Sequence, residues 1–172
     1  MSANSIFLIG FMGSGKSHWG KLWGTHHHLT FYDLDILVEE QEGMSINDIF
    51  QQFGEAHFRK IETKILRQFA FQKDFILACG GGTPCFFDNM EWMNEHGITI
   101  YLNPSVATIA GRLMEGGDRR PLVKGLHCSD ISSYTEQKIR ERESYYLKAN
   151  LVLPEQNINQ GALKDILIKN ND

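Results

Sequence analysis

Eight consecutive residues carry the most specific chemistry in the chain: Gly10-Phe11-Met12-Gly13-Ser14-Gly15-Lys16-Ser17. They satisfy G-x-x-x-x-G-K-[ST] and follow the apolar run Ile6-Phe7-Leu8-Ile9. Each position has a reason in phosphate chemistry. The glycines let backbone N–H groups close around a phosphate, the lysine reaches the outer phosphates, and the serine hydroxyl is a hard oxygen for Mg²⁺. A nucleoside triphosphate with Mg²⁺ is the expected ligand, and Gly13, Ser14, Gly15, Lys16, Ser17 and the adjoining His18 are its candidate contacts.

Further along, Asp33 and Asp35 flank Leu34 at the end of a predicted strand, where ligands collect in an open parallel sheet. One carboxylate could serve Mg²⁺ through water and the other accept a proton from a substrate hydroxyl; both could equally cap the next helix. Arg59, a little over one turn into a helix, could clamp a carboxylate or pair with Glu55 or Glu62 on its own face. Gly80-Gly81-Gly82 ends another strand, and three glycines cost backbone entropy unless something approaches closely, the dihedrals are unusual or the chain turns tightly. Arg112, Arg119, Arg120, Arg140 and Arg142 complete the candidates. Such charge runs are usually solvated, yet a loop arginine beside a phosphate site could neutralise developing charge.

Short β-type runs near 5–10, 30–34, 74–79, 98–102 and 150–153 alternate with helical periodicity near 15–25, 36–42, 46–52, 55–71, 87–96, 104–114, 130–148 and 160–169. That alternation predicts βαβ units around a parallel sheet. Ser45 is placed to cap a helix starting at Ile46, and Asn103-Pro104 supplies an N-cap followed by proline at the first helical position. Ser133-x-x-Glu136 has the spacing of a capping box. The one irregular stretch runs from Glu115 to Cys128.

A length of 172 residues predicts a single domain, and 42% hydrophobic with 22% charged residues excludes disordered, collagenous and disulfide-scaffold classes. Seventeen basic against 21 acidic side chains, net −4, argues against a dedicated binder of nucleic acid or anionic membrane. Cys79, Cys85 and Cys128 lack zinc or Cys-x-x-Cys spacing and read as free thiols in a reducing compartment. No run is long enough for a signal or a membrane span, so a cytoplasmic location is expected. His26-His27-His28 reads as a solvated helix end, because successive side chains on a helix diverge.

In order along the chain, GFMGSGKS at 10–17, Asp33-x-Asp35, Gly43-x-Ser45-Ile46-x-x-Ile49-Phe50, Phe53-Gly54-Glu55-x-x-Phe58-Arg59-x-x-Glu62, Gly80 to Gly82, Arg120-Pro121-Leu122 and Arg142-x-x-x-Tyr146 together resemble one family. It is the shikimate kinase family, within the nucleoside-monophosphate-kinase-like P-loop folds. The resemblance implies one domain over 1–172, a three-layer α/β/α fold with a central five-stranded parallel sheet. It also implies a substrate-binding segment near 36–62 and a mobile lid near 115–126. It implies transfer of the γ-phosphate of MgATP to the 3-hydroxyl of shikimate, by a protein expected to be a monomer. Under it Lys16, Asp35 and Arg120 are catalytic, Ser17 and Asp33 serve Mg²⁺, and Arg112 stacks near adenine. Asp35, Arg59, Gly80, Gly81, Gly82 and Arg142 hold shikimate, with the two arginines on its carboxylate. The family's Pro-Leu-Tyr after the second clamp arginine reads Ser144-Tyr145-Tyr146 in this chain, which leaves Arg140 as the alternative to Arg142 for that position. A gluconate kinase would share the loop and lid without needing Asp33, Arg59 and Arg142; an inactive nucleotide-binding module would lack the base or the lid arginine.

Overall fold

A computed structural model describes residues 4–115 and 128–169. The expected lid, with Arg119 and Arg120, therefore lies outside the described residues apart from Glu115.

Five strands, β1 (Ser5–Ile9), β2 (Thr30–Asp33), β3 (Phe75–Ala78), β4 (Ile98–Asn103) and β5 (Leu151–Pro154), form one sheet in the order β2-β3-β1-β4-β5. Every pairing is parallel, as it must be when helices carry each crossover. The helices are α1 (Lys16–His27), α2 (Leu34–Glu42), α3 (Ile46–Gln68), α4 (Asn89–His96), α5 (Val106–Glu115), α6 (Cys128–Tyr146) and α7 (Ala162–Lys169). Because side chains alternate along a strand, central β1 feeds two cores at once. Phe7 and Ile9 pack with Phe58, Ile65 and Leu66 of α3 and Met90 and Met93 of α4. Ile6 and Leu8 pack with Trp23 of α1 and with Leu163 and Ile166 of α7. The α/β/α layering expected from the sequence is what forms.

The chain runs from β1 to the β2–β3 side of the sheet and then crosses from β3 to β4 on the other side, so the strand order switches at β1 and a crevice opens at the carboxyl ends of the strands. Several boundaries differ from expectation, each for a local reason. Helix α2 starts at Leu34 rather than Ile36, because the Asp33 carboxylate accepts the Asp35 N–H at 3.1 Å and caps it. Asp35 thus sits in the first helical turn, not on a strand. Helix α5 starts at Val106, not Pro104; Ser105 Oγ accepts the Thr108 N–H at 3.2 Å, so Ser105 is the cap instead of Asn103. Ser133 and Glu136 lie inside α6, where Glu136 pairs with Arg140, so they form no capping box. Ser45 caps α3 as expected, accepting the Asp48 N–H at 3.2 Å.

The two helices expected at 46–52 and 55–71 are the arms of α3, joined at Gly54 in a left-handed conformation (φ 79°), and the second arm passes into a 3₁₀ turn at Phe69–Phe71. At the end of α1, His28 adopts a left-handed conformation and terminates the helix. Cys79 is buried and Cys85 half-buried, both as free thiols. Among the described residues no helix is long and apolar enough to cross a membrane.

Candidate active site

A cleft of about 370 Å³ opens at the crevice, bounded by the Gly10–Ser17 loop, by Asp33 and Asp35, by Gly80 and Gly81, and by Arg112. His18 also lines it. The loop's shape is set by glycines: Gly10, Gly13 and Gly15 have φ of 141°, 81° and 97°. At Gly10 a side chain is excluded twice over, because a Cβ there would also lie 2.7 Å from the Leu102 carbonyl oxygen. Gly15 caps α1 without a side-chain hydrogen bond, the situation in which a phosphate completes a helix N-terminus.

Lys16 folds back over this loop, its Nζ donating to the carbonyls of Gly10 (2.7 Å) and Phe11 (2.9 Å). Ser17 Oγ donates to Asp33 Oδ2 at 2.7 Å, while the other oxygen of Asp33 caps α2. A single carboxylate thereby ties the first turns of α1 and α2 together. Arg112 Nη1 donates to the Gly13 carbonyl at 3.1 Å, which fixes the α5 guanidinium at the rim of the loop.

Across the cleft, Asp35 is half-buried, and its carboxyl is pushed up from an ordinary 3.8 to about 6. Burial is the main cause, followed by the charges of Asp33 and Glu62; Lys16 and Arg59 pull the other way. None of Gly80, Gly81 and Gly82 is left-handed, so unusual dihedrals are not the reason for the run. Two other reasons hold. The chain turns tightly, with the Thr83 N–H donating to the Gly80 carbonyl at 3.1 Å. It is also crowded: a Cβ on Gly80 would lie 2.8 Å from Glu62 Oε1 and 3.0 Å from Asp35 Oδ1, and one on Gly82 would lie 2.6 Å from Arg59 Nη2.

Arg59 is 8% exposed, its guanidinium 4.2 Å from the Phe86 ring centroid and 4.9 Å from that of Phe58. Both partners named from the sequence are engaged: Glu62 at 3.0 Å from Nη1 and Glu55 at 3.0 Å from Nη2. Arg142 and Arg140 separate clearly. The Arg142 guanidinium lies 5.6 Å from the Phe11 ring, and its Nη1 is 3.6 Å from the position a Gly81 Cβ would take. Arg140 pairs with Glu136 at 2.8 Å on the solvated face. Arg120 lies outside the described residues.

Two further residues complete the arrangement. Glu62, fully buried, accepts the Thr83 hydroxyl at 2.5 Å while holding Arg59. Tyr146, also fully buried, donates its hydroxyl to the Gly81 carbonyl at 2.5 Å and packs on Tyr101, tying α6 to the glycine turn. Burial holds that phenol protonated well above its ordinary range. Glu62 was signalled by its i+3 spacing from Arg59, and Tyr146 by its i+4 spacing from Arg142. Their partners on the turn lie 21 and 65 residues away, beyond any local pattern.

A sequence profile described as Shikimate kinase matches residues 12–169. The shikimate kinase of Parabacteroides distasonis is 38% identical over 146 residues, covering 85% of this chain and 84% of that protein. A crystal structure of shikimate kinase from Bacteroides thetaiotaomicron superposes with a TM-score of 0.91 at 30% identity, covering 97% of this chain and 99% of the other. The Acinetobacter baumannii shikimate kinase, solved in complex with shikimate, gives 0.81 at 29% identity, covering 98% and 90%. A gluconokinase from Sinorhizobium meliloti, at 16% identity and 0.58 over 98% and 95%, shares the fold alone. The glycine loop, the strand-end carboxylates and the buried arginine thus sit in a chain that one family profile matches over residues 12–169, and it belongs to the shikimate kinase family.

Proposed function

We propose that this chain moves the γ-phosphoryl group of ATP to the 3-hydroxyl of shikimate, releasing shikimate 3-phosphate and ADP. The observation that carries the reading is the meeting of two unlike half-sites at one crevice. One is a phosphate-binding loop; the other combines Asp35 with Arg59 and Arg142 around the Gly80–Gly82 turn. On this reading Arg59 and Arg142 take the acceptor's carboxylate and Asp35 takes the hydroxyl. Phosphoryl transfer is mostly positioning and charge stabilisation, so holding the acceptor at its far end aims its oxygen at the phosphate.

Asp35 fits a proton acceptor. A carboxyl raised to about 6 is largely ionised at neutral pH yet more basic than an ordinary one. As the hydroxyl oxygen bonds to phosphorus, its proton passes to the Asp35 carboxylate and the electron pair of the breaking bond leaves with ADP. Lys16 exchanges the loop carbonyls for phosphate oxygens, Gly13, Ser14, Gly15 and His18 frame the polyphosphate, and Arg112 flanks the base. Arg120 is proposed as the cation facing the transferred group.

Ser17 Oγ and the Asp33 carboxylate, 2.7 Å apart beside the loop, are hard oxygen donors of the kind Mg²⁺ uses when substrate phosphates supply further ligands. Bound there, Mg²⁺ would neutralise charge on the β- and γ-phosphates. The net charge of −4 favours small-molecule partners over nucleic acid or anionic membrane, and a cytoplasmic monomer completes the proposal. ADP release with shikimate, gluconate or water as acceptor tests it. Release should depend on shikimate; equal release without an acceptor contradicts the reading, and preference for gluconate would move the chain to the rival substrate class.

A further inference from the structure

The guanidinium of Arg59 meets two carboxylates of opposite character. Its Nη1 faces Glu62, which is fully buried and pinned by the Thr83 hydroxyl. That pair cannot separate without stranding a charge in the interior. The Nε and Nη2 groups face Glu55, whose side chain is 53% exposed. Glu55 follows Gly54, around whose Cβ position there is open space. On leaving Arg59, Glu55 regains water; Glu62 has no such exit.

The bonds to Glu55 have a further property. Nε at 3.2 Å and Nη2 at 3.0 Å converge on the same oxygen, Oε1. This edge of a guanidinium is the one that matches a carboxylate's two oxygens with two parallel hydrogen bonds, and here it is served by one. A second carboxylate cannot join the first on that edge, because like charges at such separation repel strongly in a half-buried setting.

We infer that Glu55 is a displaceable stand-in for the acceptor's carboxylate, holding the Nε/Nη2 edge of Arg59 until the acceptor takes it. The inference rests on the reading above that Arg59 clamps the acceptor. It makes Glu55 a specificity-determining residue acting through competition. An anion that offers only one oxygen gains nothing over Glu55, whereas a carboxylate that reaches both N–H groups with separate oxygens and also meets Arg142 pairs with two guanidiniums where Glu55 pairs with one. Glu55 thus keeps Arg59 charge-compensated in the ligand-free protein and lowers the affinity of every competing anion.

Calorimetric titration of the full chain with shikimate and with its methyl ester tests this. Glu55→Gln keeps a neutral hydrogen-bonding group but removes the competing charge, so the Kd for the acid should fall about two- to five-fold, on the scale of a partly exposed ion pair. The Kd for the ester should not move, since the ester presents no carboxylate to compete. Weaker acid binding, an unchanged Kd, or equal tightening of acid and ester would each overturn the inference. Arg59→Lys retains a buried cation without the fork and separates the two levels of the argument. If it loses acid binding while Glu55→Gln fails to tighten it, the inference falls and the clamp stands. If Arg59→Lys binds the acid like the parent, both fall.

Discussion

At Asp35, burial and the charges of Asp33 and Glu62 oppose ionisation, and the same ionisation is what a proton acceptor needs. The sign follows from proton binding. A carboxyl at about 6 in the folded chain and 3.8 in the unfolded one binds more protons when folded, so its contribution to stability falls as pH rises from about 4 to 6. Asp35→Asn, neutral at every pH, should therefore stabilise the ligand-free protein at pH 7 by on the order of 1 kcal/mol, about 2–4 °C in Tm, and confer nothing near pH 3.5. Thermal melts at the two pH values check this. The same variant should lose turnover by about 10²-fold or more, and the acidic limb near pH 6 in kcat/KM for the acceptor should vanish with it.

Arginine offers the parallel case. Arg142→Ala should weaken acceptor binding by about 1.5–3 kcal/mol for each charged hydrogen bond lost, whereas Arg140→Ala, which removes an exposed i,i+4 pair, should change acceptor Kd little. Titration of both variants with shikimate distinguishes them. Lys16, Ser17, Asp33 and Asp35 stand out as candidates in the sequence because they belong to short patterns, a glycine loop and two carboxylates two residues apart, although Asp35 lies in the first turn of α2 instead of at the strand end expected. The choice between Arg140 and Arg142 does not show there, since it depends on which side of α6 meets Phe11 and Gly81, contacts made across the fold.

Among the elements, the Gly80–Gly82 turn and α3 are built as a pair. The turn carries no side chains where Glu62 and Arg59 come closest, so the glycines are there to admit protein groups as much as any ligand. Gly82→Ala retains an ordinary backbone conformation (φ −95°) but puts a methyl 2.6 Å from Arg59 Nη2. Since the far end of a side chain can yield more readily than backbone, the fold should survive while Arg59 shifts. Acceptor KM should rise about tenfold or more, with ATP KM little changed, as expected for a clamp displaced by an ångström. An unchanged acceptor KM would show that the guanidinium is not held where the acceptor needs it. The break in α3 shows in the sequence as separate helical runs at 46–52 and 55–71, and the structure places Gly54, at φ 79°, between the two arms. The start of α5 was misread for a physical reason: Asn103-Pro104 is a plausible cap, but Glu155 takes the Ser105 N–H at 3.1 Å and Ser105 itself then caps the helix.

At the scale of the molecule, alternating strands and helices implied a parallel sheet, and the apolar run ahead of the glycine loop implied a buried strand. The order β2-β3-β1-β4-β5 follows from neither pattern, since strand pairing is decided by contacts between segments tens of residues apart. That order brings the glycine loop after β1 beside the carboxylates at the end of β2 and the glycine turn after β3, so that all three line one cleft. What defines the reaction is the destination of the phosphoryl group. Phosphorus–proton correlated NMR of the reaction of this chain with MgATP and shikimate reads it directly. The product should be a single phosphomonoester whose phosphorus couples to the proton on carbon 3 of the ring. Orthophosphate as the only product besides ADP, or coupling to the proton on carbon 4 or 5, would contradict transfer to the 3-hydroxyl.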